Sequence, residues 1–130
     1  MAAEEANGDL KQFERQQFIN LETFKRSGQS VKTPVWFVQE GEILYVWTEA
    51  TSGKAKRIRK NARVNIAPCK AAGELLGDWM PARAQVDESP TAQAQLVQRM
   101  RKKYGLMFVG FRLMGKLRRG KYAALRLELN

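Results

Sequence analysis

The 130-residue sequence has no histidine, a single cysteine and four prolines. The missing histidine removes the commonest general base, the usual metal ligand and every Ser-His or Cys-His nucleophile pair. One cysteine, Cys69, permits neither an internal disulfide nor a cysteine zinc cluster. Long apolar runs are also lacking: 106–111 is among the longest and is far too short to span a bilayer. Acidic residues are scarce, with 13 Asp+Glu against 23 Lys+Arg, which leaves a formal net charge of +10. A surface this basic calls for an anionic partner, whether nucleic acid, lipid headgroups or a phosphate- or carboxylate-bearing ligand. What remains, 44% apolar and 28% charged residues, fits one soluble globular domain.

The segment 1–8 is acidic, without the basic and apolar regions of a secretory signal. Together with the free thiol this leads us to expect a cytoplasmic protein. Residues 1–16 read as a polar, partly helical or frayed segment with a short helix around Leu10 to Arg15. The domain proper is expected over 17–130.

From Phe18 the pattern has period two. Ile19, Leu21 and Thr23 alternate with polar residues, Ser27-Gly28 offers a hairpin turn, and Val31, Thr33, Val35 and Phe37 alternate again. Glu40-Gly41 gives a second turn into Ile43–Thr48, so three strands are expected in an antiparallel meander. Lys54–Lys60 reads as a short helix, with Ser52 at its start and Asn61 at its C-cap. Further strands are expected through Val64, Ile66 and Cys69, over Met80–Val86, and over Tyr122–Leu129. Pro68 limits how central the first of these can be at its far end. Ser89-Pro90 opens an amphipathic helix with Ala92, Leu96, Val97, Met100 and Tyr104 in one stripe. Leu106, Val109, Leu113 and Leu117 also fit helical spacing. The sum is an α+β domain, a mostly antiparallel six-stranded sheet or small barrel with short helices.

Three places could carry chemistry. After Thr51-Ser52-Gly53 a helix with five cations begins at once. Its free N–H groups, the hydroxyls of Thr51 and Ser52, and Lys54, Lys56 and Arg57 could converge on one anion. Cations at a helix start oppose the macrodipole, which is an argument for a bound phosphate; the alternative is a solvated basic helix in an already basic protein. In Thr33-Pro34-Val35-Trp36, Pro34 cannot donate to a ladder, leaving backbone groups to meet a planar heterocycle with Trp36 or Trp47 as a stacking wall. The alternative is an aromatic core on an edge strand. Trp79, beside a Gly-rich loop, reads as a lid, an interface anchor or a cover over the core. The cations from Arg112 to Lys121 form a diffuse positive patch.

In order and spacing, Phe18-Ile-Asn-Leu-Glu-Thr-Phe, Thr33-Pro-Val-Trp-Phe, Leu44-Tyr-Val-Trp-Thr, Ser52-Gly-Lys-Ala-Lys-Arg-Ile-Arg-Lys-Asn-Ala-Arg-Val, Ala67-Pro-Cys and Lys103-Tyr-Gly resemble the pyridoxamine-5′-phosphate-oxidase-like split β-barrels. Within these the chain is most similar to the small flavin/deazaflavin oxidoreductases. The resemblance spans Gln17 to Leu129. It implies an FMN-binding type of six-stranded split barrel and a homodimer, with FMN or the deazaflavin coenzyme F-420 in a groove at the dimer interface. Thr51, Ser52, Lys54, Lys56 and Arg57 would then hold the cofactor phosphate. Backbone atoms of Thr33, Pro34, Val35 and Trp36 would meet the pyrimidine edge, and Trp79 would approach from the other subunit. Asn61-Ala62 replaces the Asn-Pro usual in such proteins, which removes a rigid turn but no cofactor contact. No residues match the substrate contacts of the true oxidase, so vitamin B6 oxidation is not implied.

The expected function is hydride transfer between a bound deazaflavin or flavin and a small organic substrate, with the cofactor supplying the hard chemistry. F-420 is preferred over FMN because its phosphate and glutamate carboxylates would use more of the positive surface. No metal or membrane role is expected. One rival is a nucleic-acid-binding small barrel using Trp36, Phe37, Tyr45 and Trp47 as a stacking platform. Another is a non-catalytic flavin- or haem-binding relative.

Overall fold

Alternating apolar residues build the first hairpin. In the computed structural model, which describes residues 10–110 and 121–129, β1 (Phe18–Phe24) turns Ile19, Leu21 and Thr23 to one buried face. β2 (Ser30–Trp36) returns antiparallel, setting Val35, Thr33 and Val31 opposite those three. Gly28, at φ 92°, closes the turn in a conformation that side chains resist; its N–H donates to Lys25 O at 2.9 Å. Lys25 N–H in turn donates to Gln29 O at 2.8 Å.

The chain continues through β3 (Val38–Glu40), β4 (Ile43–Glu49), α1 (Gly53–Lys60), β5 (Arg63–Cys69), β6 (Met80–Asp87), α2 (Pro90–Tyr104) and β7 (Tyr122–Leu129). One antiparallel sheet results, in the order β2-β1-β5-β6-β7-β4-β3. Its two edges, β2 and β3, are consecutive in sequence and separated only by Phe37. The sheet must therefore curl until its edges meet, giving a barrel open along one seam where β2 and β4 approach without sharing a ladder.

Ile19, Leu21, Leu44, Val46, Val64, Ile66, Leu125 and Leu127 fill the interior. α1 adds Ile58, and the turn before β1 adds Phe13, 1% exposed and edge-on to Phe37 at 6.2 Å between ring centroids. Outside the barrel, α2 lays Leu96, Met100 and Tyr104 over Val38, Trp47 and Ala124. Ser89 accepts from Ala92 N–H at 3.2 Å and Pro90 starts α2, as the sequence leads one to expect.

The split-barrel expectation holds, with three corrections. Seven strands form rather than six, because the expected strand through Phe37 divides there: β2 pairs with β1, and β3 pairs with β4. No three-stranded meander exists, since β2 and β4 are not ladder neighbours. The second turn lies at Gly41-Glu42, one residue later than expected, with Gly41 at φ 61°. Residues 106–110 are helical, and the rest of the expected helix to Leu117 lies outside the described residues, as does most of the cationic run Arg112 to Lys121.

The division at Phe37 has a specific cause. Beyond the Lys25–Gln29 pair, bonded positions alternate, so Thr23/Val31, Leu21/Thr33 and Ile19/Val35 exchange backbone bonds. The next bonded pair would be Gln17 and Phe37. Between them stands the Tyr104 hydroxyl, which accepts from Phe37 N–H at 2.9 Å and lies 2.7 Å from both Gln17 O and Phe37 O. A hydroxyl has one proton to give. Lys103 Nζ donates to Phe37 O at 2.8 Å, so placing the Tyr104 proton on Gln17 O gives both carbonyls a donor. The side chain thus relays one ladder bond, wedges β1 from its partner and sends the chain across to β4. Burial raises the phenol well above its ordinary range and keeps that proton in place.

Lys103 Nζ also lies 3.6 Å from the centre of the Phe37 ring, and burial pushes its pKa from 10.5 down to about 8. Between those values the unfolded chain binds the proton more tightly than the folded one. The site's contribution to stability therefore rises as pH increases through that window. Urea unfolding of the wild type and Lys103→Met, compared at about pH 7.5 and about pH 9.5, should show the wild type gaining relative to the variant. A difference independent of pH would contradict the assignment.

Candidate functional site

The helix that follows β4 begins on an electrostatic conflict. Ser52 caps α1, its hydroxyl accepting from Ala55 N–H and from Thr48 Oγ1, each at 3.2 Å. No acidic residue occupies the first turn. Arg57 instead reaches back toward the helix start, as helical side chains do. Its Nε donates to Thr23 Oγ1 at 2.6 Å, and its guanidinium covers Gly53 so closely that a Cβ there would stand 2.7 Å from Nη1. Lys54 shares this end. Burial, then the charge of Arg57, lowers its pKa, while Glu49 acts in the opposite direction.

Between the later turns of α1 and the first hairpin runs a groove of about 670 Å³ lined by Phe24, Lys25, Arg26, Lys56, Arg57, Lys60 and Asn61. Five of the seven lining residues are cations and none is acidic. Among the described residues, none of those five has an acidic partner within ion-pair distance. By contrast, Arg59 on the other side of α1 is held by Glu88 at 3.3 Å and bonds Ala50 O at 2.8 Å. The uncompensated charge is thus concentrated on the side of α1 that faces the first hairpin.

The expected site residues divide into three groups. Lys56 and Arg57 line the groove, while Thr51, Ser52 and Lys54 stand at the start of the same helix, Ser52 engaged as its cap. Thr33 and Val35 share the inner face with Leu21 and Ile19, and Val35 packs on the barrel core. The bonding alternation turns the backbone groups of Lys32, Pro34 and Trp36 away from β1, toward the seam. Pro34 falls where no ladder N–H is required. From Val31, opposite the Arg57-bonded Thr23, to Pro34 is three residues of strand, about 10 Å.

The aromatic side chains do not form an open wall. Trp36 stacks on Tyr104 at 4.6 Å, and Trp47 stacks on Tyr122 at 4.2 Å and meets Phe108 edge-on. Phe37 is fully buried, and Tyr45 packs under Arg99, whose charge also pairs with Glu40 at 3.3 Å. Trp79 lies beside β2, its ring 5.6 Å from Lys32 Nζ, and does not line the groove.

Sequence reasoning missed Lys25, Arg26 and Lys60 as groove residues. Their signal was present, as two cations in the Ser27-Gly28 hairpin turn and one closing the basic helix. What brings them together is the packing of α1 on β1, which no local pattern encodes.

No family model matches the sequence, and no curated protein matches it. Solved structures do. The haem storage protein HutZ of Vibrio cholerae shares 18% identity over 96% of this chain and 90% of its own, with a TM-score of 0.70. An F420 reductase shares 15% over 95% and 94%, with a TM-score of 0.62. A candidate pyridoxamine 5′-phosphate oxidase of Listeria innocua shares 11% over 97% and 94%, with a TM-score of 0.68. The chain has the split-barrel fold of the pyridoxamine 5′-phosphate oxidase-like proteins. Among the described residues no helix of this split barrel is long and apolar enough to cross a membrane.

Gly53→Ala tests the geometry at the helix start. Alanine suits a helix better, so stability should hold or rise by up to about 1 kcal/mol. The added Cβ should displace the Arg57 guanidinium and reduce protection by inorganic phosphate against thermal unfolding. Equal protection in both proteins would place the anion elsewhere.

Proposed function

We propose that this split barrel is a cytoplasmic, homodimeric oxidoreductase that binds F-420 or FMN and transfers hydride to or from a small organic substrate. The observation that carries the reading is the groove beside α1: five cations and no acid among its lining residues. Neighbouring structures carry names as different as haem storage and F420 reductase, so the fold alone does not choose among functions.

The residues fit a phosphate-bearing cofactor. Lys56 and Arg57 would pair with the phosphate in the groove, and Arg57, which reaches back over Gly53, would link it to Lys54 and the start of α1. About 10 Å along the strand, the outward backbone of β2 would hold a planar ring by its polar edge. A ligand with an anionic end and a flat polar end, joined by a short polyol chain, matches that layout. The bound flavin or deazaflavin supplies the hydride chemistry, and the protein binds it, orients it and excludes water. No histidine is then required. F-420 is favoured over FMN because Lys25, Arg26 and Lys60 provide more positive charge than a single phosphate neutralises.

A homodimer agrees with the outer face around Trp79, where Leu75 and Leu76 are 46% and 49% exposed. A second copy seated there would bury them. The packed aromatics weigh against a nucleic-acid stacking platform.

Titration with FMN and with F-420, followed by absorbance and fluorescence, tests the reading: at least one should bind at micromolar concentration. Lys56→Ala and Arg57→Ala should each weaken that affinity about tenfold, the loss of one charge-assisted contact, without unfolding the protein. Binding of single-stranded RNA with neither cofactor bound would overturn the proposal.

A further inference from the structure

The cofactor reading leaves Lys103 and Tyr104 without a role, although they hold the point from which the seam opens. β2 runs from Phe37 along β1, and β3 runs from Phe37 onto β4. The orientation of the β2 edge against β4 is therefore set at this vertex. Four contacts fix it: Phe37 N–H to the Tyr104 hydroxyl, that hydroxyl to Gln17 O, Lys103 Nζ to Phe37 O, and the Tyr104 ring stacked on Trp36 at 11° between planes. Both residues belong to the last turn of α2, which is anchored separately by Leu96 and Met100.

We infer that Tyr104, assisted by Lys103, is a positioning residue for ligand binding: it sets the seam so that the outward backbone of Lys32, Pro34 and Trp36 meets the planar end of the ligand. The inference rests on the proposed flavin or deazaflavin reading. It assigns the two ends of the ligand to independent parts of the fold, the anionic end to α1 and the planar end to a strand aimed by α2. Tyr104→Phe keeps the ring on Trp36 and deletes the hydroxyl. Phe37 N–H would then bond Gln17 O directly or go unpaired, and in either case the vertex shifts.

The test measures three affinities well below the melting temperature for wild type, Tyr104→Phe and Lys103→Met. The probes are the cofactor that the wild type binds, inorganic phosphate, and lumiflavin or its deaza analogue as a ring without phosphate. The expected result is about a tenfold loss for cofactor and for the bare ring in Tyr104→Phe, the order expected for one misplaced polar contact. A smaller loss is expected in Lys103→Met, with phosphate affinity unchanged in both. A merely destabilised fold would not separate the ring from the phosphate. Equal loss for all three probes, or no loss for any, would overturn the inference while leaving the cofactor reading intact. Failure of the wild type to bind any flavin or deazaflavin would instead remove the reading on which it rests. If Tyr104→Phe does not fold, the ring-against-phosphate comparison in Lys103→Met decides.

Discussion

One hydroxyl group determines how this sheet closes. Two strands that could have continued a regular ladder are parted at Gln17 and Phe37 by Tyr104, which takes over one backbone bond and passes it on. With Phe37 as the vertex, the first sheet edge lies along β1 and the last along β4, and the space between them becomes the seam. Burial of the phenol makes the relay durable, because an ionised oxygen there would lose the proton that Gln17 O requires.

Electrostatics provides the second constraint. A sequence carrying +10 can spread its charge over solvent at little cost, and much of it here is so spread. At α1 it is not. Arg57 folds over Gly53, Lys54 is partly desolvated beside it, and the four other groove cations, Lys25, Arg26, Lys56 and Lys60, come from the first hairpin and the later turns of the helix. Ser52 caps the helix, but no first-turn acid offsets the dipole. Like charges crowded in this way are relieved by an anion. The outward backbone of β2 lies about 10 Å along the strand, and the proposed ligand is drawn from the two features together.

Much of the fold was legible in the sequence because strand alternation and helix caps are local. Ile19, Leu21 and Thr23, the Ser52 and Ser89 caps, and the stripe of Leu96, Met100 and Tyr104 are all found where the pattern puts them. The division of the strand at Phe37 was not legible, since its cause lies 67 positions away in Tyr104. Phe13 escaped notice because a single aromatic in a polar segment has no periodicity, yet it is fully packed in the barrel. For the site, sequence marked the helix start but not the hairpin cations that complete the groove. It also marked Thr33 to Trp36 without separating inward side chains from outward backbone, a distinction that depends on hairpin register.

The central claim is that one ligand lies along the seam, with its anionic end at α1 and its planar end on β2. Backbone amide chemical shifts of the isotope-labelled protein, recorded during titration with FMN and with F-420, address it most directly. The account predicts that the largest changes cluster at Gly53 to Arg57 and at Lys32, Val35 and Trp36, saturating together. Changes absent from both segments, or confined to the outer face of β5 and β6 around Arg63 and Arg83, would contradict it.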